Sequence, residues 1–279
     1  MAITTYESDY FDLVNSGSSY GATPKYKILI EGDSWVSHPF LSNLAIQIDD
    51  LGNDDFAILN LAIPGDTAKR MFERKSKQLK RMGQLIHDER FGYEFDLLLI
   101  SAAGNDIVGS EIVDFVDKHN TNGRSGSQLI NENFSAMMKE VTKNYENLIK
   151  LRNKTKINKK TPIVCHCYSY LKPRKVGTKL FGAMFGKGWV KQYLDKLDIP
   201  QADQQEIIIS MLDRFYESMK SLQKKYDNFI VVDTRKALWK NNKPDVSMFH
   251  DEIHPKARGF KKVAKLIRNQ SKKRGMWPN

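Results

Sequence analysis

Short, unbroken apolar runs constrain this chain most. They fall at residues 26–31 (YKILIE), 56–62 (FAILNLA), 96–101 (DLLLIS), 161–169 (TPIVCHCYS) and 229–233 (FIVVD). Apolar character that is continuous rather than alternating belongs to parallel strands buried on both faces. Between the runs lie stretches with helical spacing, at 39–51, 67–87, 128–151, 201–226 and 256–270. Strands that alternate with helices build βαβ units. Their right-handed crossovers predict an α/β fold, a three-layer α/β/α sandwich. Its sheet is doubly wound, mainly parallel, five-stranded and flavodoxin-like. A single domain over 1–279 is expected, with a polar N-terminal arm at 1–24 and a cap or lid insertion at about 171–200.

Composition removes several classes. Hydrophobic residues make up 41% of the 279 positions, enough for a sizeable core, so a disordered chain is excluded. No apolar stretch approaches the ~20 residues that cross a bilayer. The opening MAITTYESDYFDLVNSGSS has neither the basic nor the apolar region of a secretory signal, so a cytoplasmic protein is expected. Cys165 and Cys167 stand two apart on one strand face, poorly placed to pair, and read as buried reduced thiols. No metal site and no cofactor are expected.

The formal charge of +11 is unevenly spread. No acidic residue follows Glu252, whereas Lys256, Arg258, Lys261, Lys262, Lys265, Arg268, Lys272, Lys273 and Arg274 do. Such a field attracts anionic partners, an anionic membrane surface among them; the plainer reading is a solvated helix face. Nucleic acid is not the expected partner, and the oligomeric state is left open.

Four polar groups interrupt this pattern, each just past an apolar run: Gly32-Asp33-Ser34, Gly65, Gly104-Asn105-Asp106 and Asp251-Glu252-Ile253-His254. In a doubly wound sheet the carboxyl ends of the strands are where functional groups collect. A serine hydroxyl is inert at neutral pH unless a base takes its proton. Asp251, three residues before His254 on a tight turn, reaches back to Nδ1 and leaves Nε2 for Ser34. A tetrahedral intermediate needs donors aimed at its oxyanion, and the Ser34 N–H, the Gly65 N–H and the Asn105 side-chain amide are three candidates. Singly, each group is equally a turn or cap.

With these residues in view, the chain resembles the SGNH, or GDSL-like, hydrolase family. Its blocks appear as Gly32-Asp33-Ser34-Trp35, Asn60-Leu61-Ala62-Ile63-Pro64-Gly65-Asp66-Thr67, Ala103-Gly104-Asn105-Asp106 and Asp251-Glu252-Ile253-His254. Ala62 and Ala103 stand where the family often has Gly, and Trp35 where it often has Leu. The resemblance implies an ester hydrolase that works through an acyl-enzyme. Ser34 would be the nucleophile, His254 the base and Asp251 its orienter, with Ser34, Gly65 and Asn105 binding the oxyanion and no cofactor required.

Substrate signals are weaker. Phe181, Phe185, Trp189 and Tyr193 recur every four residues, with Lys179, Lys187, Lys191 and Lys196 between them. This helical spacing is read as a mobile lid or an interfacial helix on an anionic membrane, or more plainly as a cap packed on its own domain; Gly182, Gly186 and Gly188 would weaken a helix but suit a lid. Asp33, Trp35, Phe181, Phe185 and Trp189 are the candidate pocket residues. An apolar acyl ester such as a lysophospholipid is the expected substrate. The alternative is short-chain O-deacetylation of a carbohydrate or small molecule. A third possibility is a non-catalytic basic binding module.

Overall fold

The computed structural model describes residues 3–16, 23–38, 41–90, 93–119, 123–180, 183–185 and 188–278. The chain opens with β1 (Ile3–Thr4), α1 (Glu7–Ser16), β2 (Tyr26–Gly32), α2 (Leu44–Gly52) and β3 (Phe56–Asn60). It continues through α3 (Ala68–Phe72), α4 (Lys77–His87), β4 (Leu97–Ser101), α5 (Gly104–Ile107), α6 (Ile112–Phe115) and α7 (Glu132–Asn153). Next come β5 (Ile163–His166), β6 (Thr178–Leu180), β7 (Ala183–Phe185), α8 (Lys191–Leu194) and α9 (Gln201–Lys225). The last elements are β8 (Phe229–Val232), the small hairpin β9 (Trp239–Lys240) and β10 (Lys243–Pro244), and α10 (Ala257–Lys272).

The main sheet runs β1-β3-β2-β4-β5-β8, and every pair in it is parallel. All residues of β3, β4, β5 and β8 are buried, as unbroken apolar runs require. Helices α2 and α10 pack on each other, while α3, α4, α7 and α9 pack together as a second group. The fold is therefore the expected α/β sandwich.

The strand count is corrected from five to six. Residues 3–4, inside the stretch read as an arm, add an edge strand in register Ile3↔Ile58 and Thr4↔Leu59. Tyr10 and Val14 of α1 are buried behind it. The single helix expected over 67–87 is two. Ser76 ends the break by accepting the Leu79 N–H at 3.0 Å as the N-cap of α4.

The cap region also differs from its reading. Where the four-residue aromatic spacing allowed an interfacial helix, Thr178–Leu180 pairs antiparallel with Ala183–Phe185, and the short α8 follows. Cys165 and Cys167 are buried and unpaired. Lys261, Lys262, Lys265 and Lys272 are exposed on α10, opposite its buried Phe260, Val263 and Ile267. Among the described residues no helix is long and apolar enough to cross a membrane.

Candidate active site

The order of the sheet reverses between β2 and β4, since the chain leaves β2 toward β3 on one side and returns through β4 on the other. A crevice opens at the carboxyl ends of strands at such a switch point. Ser34 follows β2 and Asn105 follows β4, so topology alone brings these two blocks to the crevice.

His254 arrives from the far end of the chain on a tightly closed loop. Phe249 and Pro255 form an antiparallel bridge, and the His250 N–H donates to the His254 carbonyl at 2.8 Å. Inside the loop Asp251 Oδ1 accepts the backbone N–H groups of Ile253 (2.9 Å) and His254 (2.7 Å). Its Oδ2 lies 2.8 Å from His254 Nδ1. His254 Nε2 lies 2.8 Å from Ser34 Oγ. With the Nδ1 proton on the Asp251 side, Nε2 is a proton acceptor for the serine hydroxyl. All three side chains are buried or nearly so. Burial pushes the Asp251 carboxyl up, but hydrogen bonds from the His254 ring and the two backbone amides outweigh it and hold the carboxyl below its ordinary value. The carboxyl thus favours its ionised form beside the His254 ring.

On the other side of Ser34 the donors are arranged differently. Gly65 sits on an exposed turn with φ +85°, a left-handed conformation that favours glycine. Among the described residues neither the Ser34 nor the Gly65 backbone N–H has an acceptor. Asn105 gives one side-chain N–H to the Asp66 carbonyl at 2.9 Å, which fixes the amide and leaves its second N–H available. Asp106 accepts the Ala68 N–H at 2.8 Å, and the Asn60 amide donates to the Val36 carbonyl at 2.8 Å. These bonds tie the blocks after β2, β3 and β4 into one unit.

A cavity of about 30 Å³ adjoins Ser34, lined among others by Asp33, Trp35, Asn105, Tyr168 and Leu171. Asp33 and Trp35 are thus brought to the site. Gly65 and Trp189 do not line this cavity, although the Trp189 ring meets the His254 ring edge-on at 5.3 Å. Phe181 lies outside the described residues, and Phe185 is described by its backbone in β7 alone. Among the described residues no group of three or more His, Cys, Asp or Glu side chains is arranged to hold a metal.

The profile of the GDSL-like lipase/acylhydrolase family matches residues 31–267. The chain belongs to this family. It is accordingly a carboxylic ester hydrolase by class. Among curated proteins none matches the sequence. Solved structures share the fold at low identity. A protein assigned as a GDSL-like lipase from Parabacteroides merdae is similar at 15% identity and TM-score 0.50, with 91% of this chain and 97% of that one covered. A family 3 carbohydrate esterase from Clostridium thermocellum is similar at 10% identity and TM-score 0.50, with 89% and 96% covered.

This GDSL-like hydrolase also carries a buried polar layer beside Ser34 that the motifs do not reveal. Asp33, one residue before Ser34, accepts the Tyr168 hydroxyl, the Trp35 N–H at 3.0 Å and the Ser101 hydroxyl at 3.1 Å. Ser101 in turn lies 3.0 Å from His166 Nε2. The His166 ring stacks on Trp35 at 5.3 Å. Burial pushes the Asp33 carboxyl up to about 6 and the His166 imidazole down to about 3, so His166 is neutral. Tyr168 pays for its place with a strained φ of +26°. Its position just past β5 was the available signal, since every other group at this edge also follows a strand. His38, another histidine at the site, has its ring 5.1 Å from that of His254. Burial, aided by repulsion from His254, lowers it to about 4.

Proposed function

We propose that Ser34, His254 and Asp251 hydrolyse a short-chain carboxylic ester through an acyl-enzyme. The relay of two 2.8 Å contacts, Ser34 Oγ to His254 Nε2 and His254 Nδ1 to Asp251 Oδ2, carries this reading. Ser34 Oγ attacks the ester carbonyl carbon while Nε2 takes its proton. The new oxyanion is held by the Ser34 and Gly65 N–H groups and the second Asn105 N–H. The C–O bond to the alcohol breaks, and His254 returns the proton to the departing oxygen. Water then attacks the acyl-Ser34 carbonyl, gives its proton to His254, and the released serine recovers it.

The size of the acyl group follows from the cavity. The cavity beside Ser34 is small, about 30 Å³, which favours a short acyl group such as acetyl over a long chain. Of the aromatic residues expected to form a wall, the two with described side chains, Trp189 and Tyr193, do not line this cavity. The short-chain O-deacetylase reading is therefore preferred to the lipid-ester reading.

A panel of p-nitrophenyl esters tests this choice. The rate is expected to be highest for acetyl and to fall at least tenfold by octanoyl. A rate that climbs from acetyl to octanoyl would restore the lipid-ester reading.

A further inference from the structure

Glu252 lies between the two residues that build the base system, Asp251 and His254, yet it touches neither reacting atom. It is 1% exposed. A carboxylate offers about four acceptor positions, and Glu252 fills them with backbone N–H groups from the cap. Oε1 accepts Arg174 and Lys191, each at 2.9 Å. Oε2 accepts Val190 at 2.8 Å and Trp189.

Further bonds run between the same two segments. The Glu252 N–H donates to the Val176 carbonyl at 3.1 Å, and the Arg174 guanidinium donates to the Asp251 carbonyl. The cap reaches the loop after β4 as well, where the Gly109 N–H donates to the Trp189 carbonyl at 2.9 Å. The amides that Glu252 gathers at 189–191 are the ones that set Trp189 perpendicular to the His254 ring, at 88°. Gly188 explains how the chain comes so close: a Cβ there would lie 2.4 Å from Glu252 Oε2.

We propose that Glu252 is a positioning residue that latches the cap at 174 and 189–191 to the catalytic turn and thereby fixes the His254 ring against Trp189. The inference rests on the hydrolase reading above for its kinetic consequence and on geometry alone for the latch. A carboxylate suits the task because it is acceptor-only. An amide in its place turns an NH₂ toward N–H donors, so two of the four bonds are replaced by opposed donors.

Hydrogen exchange with mass spectrometry and steady-state kinetics test the proposal on the intact chain. In Glu252→Gln, amide exchange at 174 and 189–191 accelerates at least tenfold, while β4 and β5 stay protected. The kcat on p-nitrophenyl acetate falls about tenfold, with KM within twofold of wild type, because a misplaced imidazole slows proton transfer without altering how a small ester binds. Gly188→Ala, which presses on the latch from the cap side and leaves the carboxylate intact, gives the same pair of changes. Trp189→Ala, which keeps all four Glu252 bonds, lowers kcat by a similar factor without faster exchange at 174.

Unchanged exchange in Glu252→Gln overturns the latch. Faster exchange with unchanged kcat overturns the positioning role, as does an unchanged kcat in Trp189→Ala. A wild type without esterase activity overturns the hydrolase reading instead, so the two failures are distinguishable.

Discussion

Two buried aspartates accompany Ser34, and the protein treats them in opposite ways. Among the described residues, Asp33 and Asp251 each accept at least three hydrogen bonds. Asp251 is held below its ordinary value, whereas Asp33 is pushed up to about 6. The kind of donor separates them. Asp251 faces an imidazole able to carry charge, so hydrogen bonding and Coulomb attraction act together on the ionised form. Asp33 faces two neutral hydroxyls and one amide, and burial wins. In the proposed mechanism the first carboxylate, Asp251, supports a cation that forms during reaction. The other is arranged to brace a turn.

The largest test of this contrast is Asp251→Asn. An asparagine keeps the shape of the site but presents an amide that stabilises the wrong imidazole tautomer and no imidazolium. The kcat should fall by roughly 10³ to 10⁴, with the circular dichroism spectrum unchanged. A loss below tenfold would place Asp251 in the same bracing role as Asp33.

Asp33→Asn should do little to the chemistry, within about tenfold in kcat, and should instead reveal itself in stability. The folded carboxyl titrates near 6, above its unfolded value of about 3.9. Below the unfolded value the folded state bears no penalty from this group. As pH rises through about 6, the folded state must ionise a buried acid and loses stability. The variant escapes that loss, so its stability relative to wild type should rise by roughly 1–3 kcal/mol between pH 4.5 and pH 8, read from urea unfolding. A relative stability that falls as pH rises would mean that Asp33 works as an anion.

Gly104→Ala sharpens the Asp33 side with a smaller effect. A Cβ there would lie 2.7 Å from the Tyr168 ring and push the phenol away from Asp33. Overpacking of this kind costs about 1–3 kcal/mol, measured by the same unfolding assay. Stability equal to wild type would show that Tyr168 moves freely and does not hold Asp33.

The same contrast marks what could be read from the sequence. Asp251 and His254 sit three residues apart, so their pairing is local and legible. The parallel sheet is legible for a related reason, since unbroken apolar runs such as DLLLIS have no other good use in a chain of this size. Asp33 was placed in the pocket, but its partners Ser101 and Tyr168 are 68 and 135 residues away and follow no spacing. Glu252 stands inside its motif, while the amides it gathers lie 61 to 78 residues upstream.

Two misreadings have physical causes. Ile3–Thr4 is too short to carry a period, and its pairing depends on β3 being available beside it. Phe185, Trp189 and Tyr193 satisfy a helical spacing of four, but a spacing of four is also twice the strand period, and Phe185 falls in a strand, Ala183–Phe185, paired with Thr178–Leu180.

The most direct test of the whole account is covalent labelling with a fluorophosphonate, mapped by mass spectrometry. An activated serine displaces fluoride from phosphorus and retains the adduct, whereas an unactivated one does not react. The account predicts one adduct on the peptide that contains Ser34, absent in Ser34→Ala and strongly slowed in Asp251→Asn. Folded wild type that stays unlabelled, or an adduct that persists in Ser34→Ala, would contradict it.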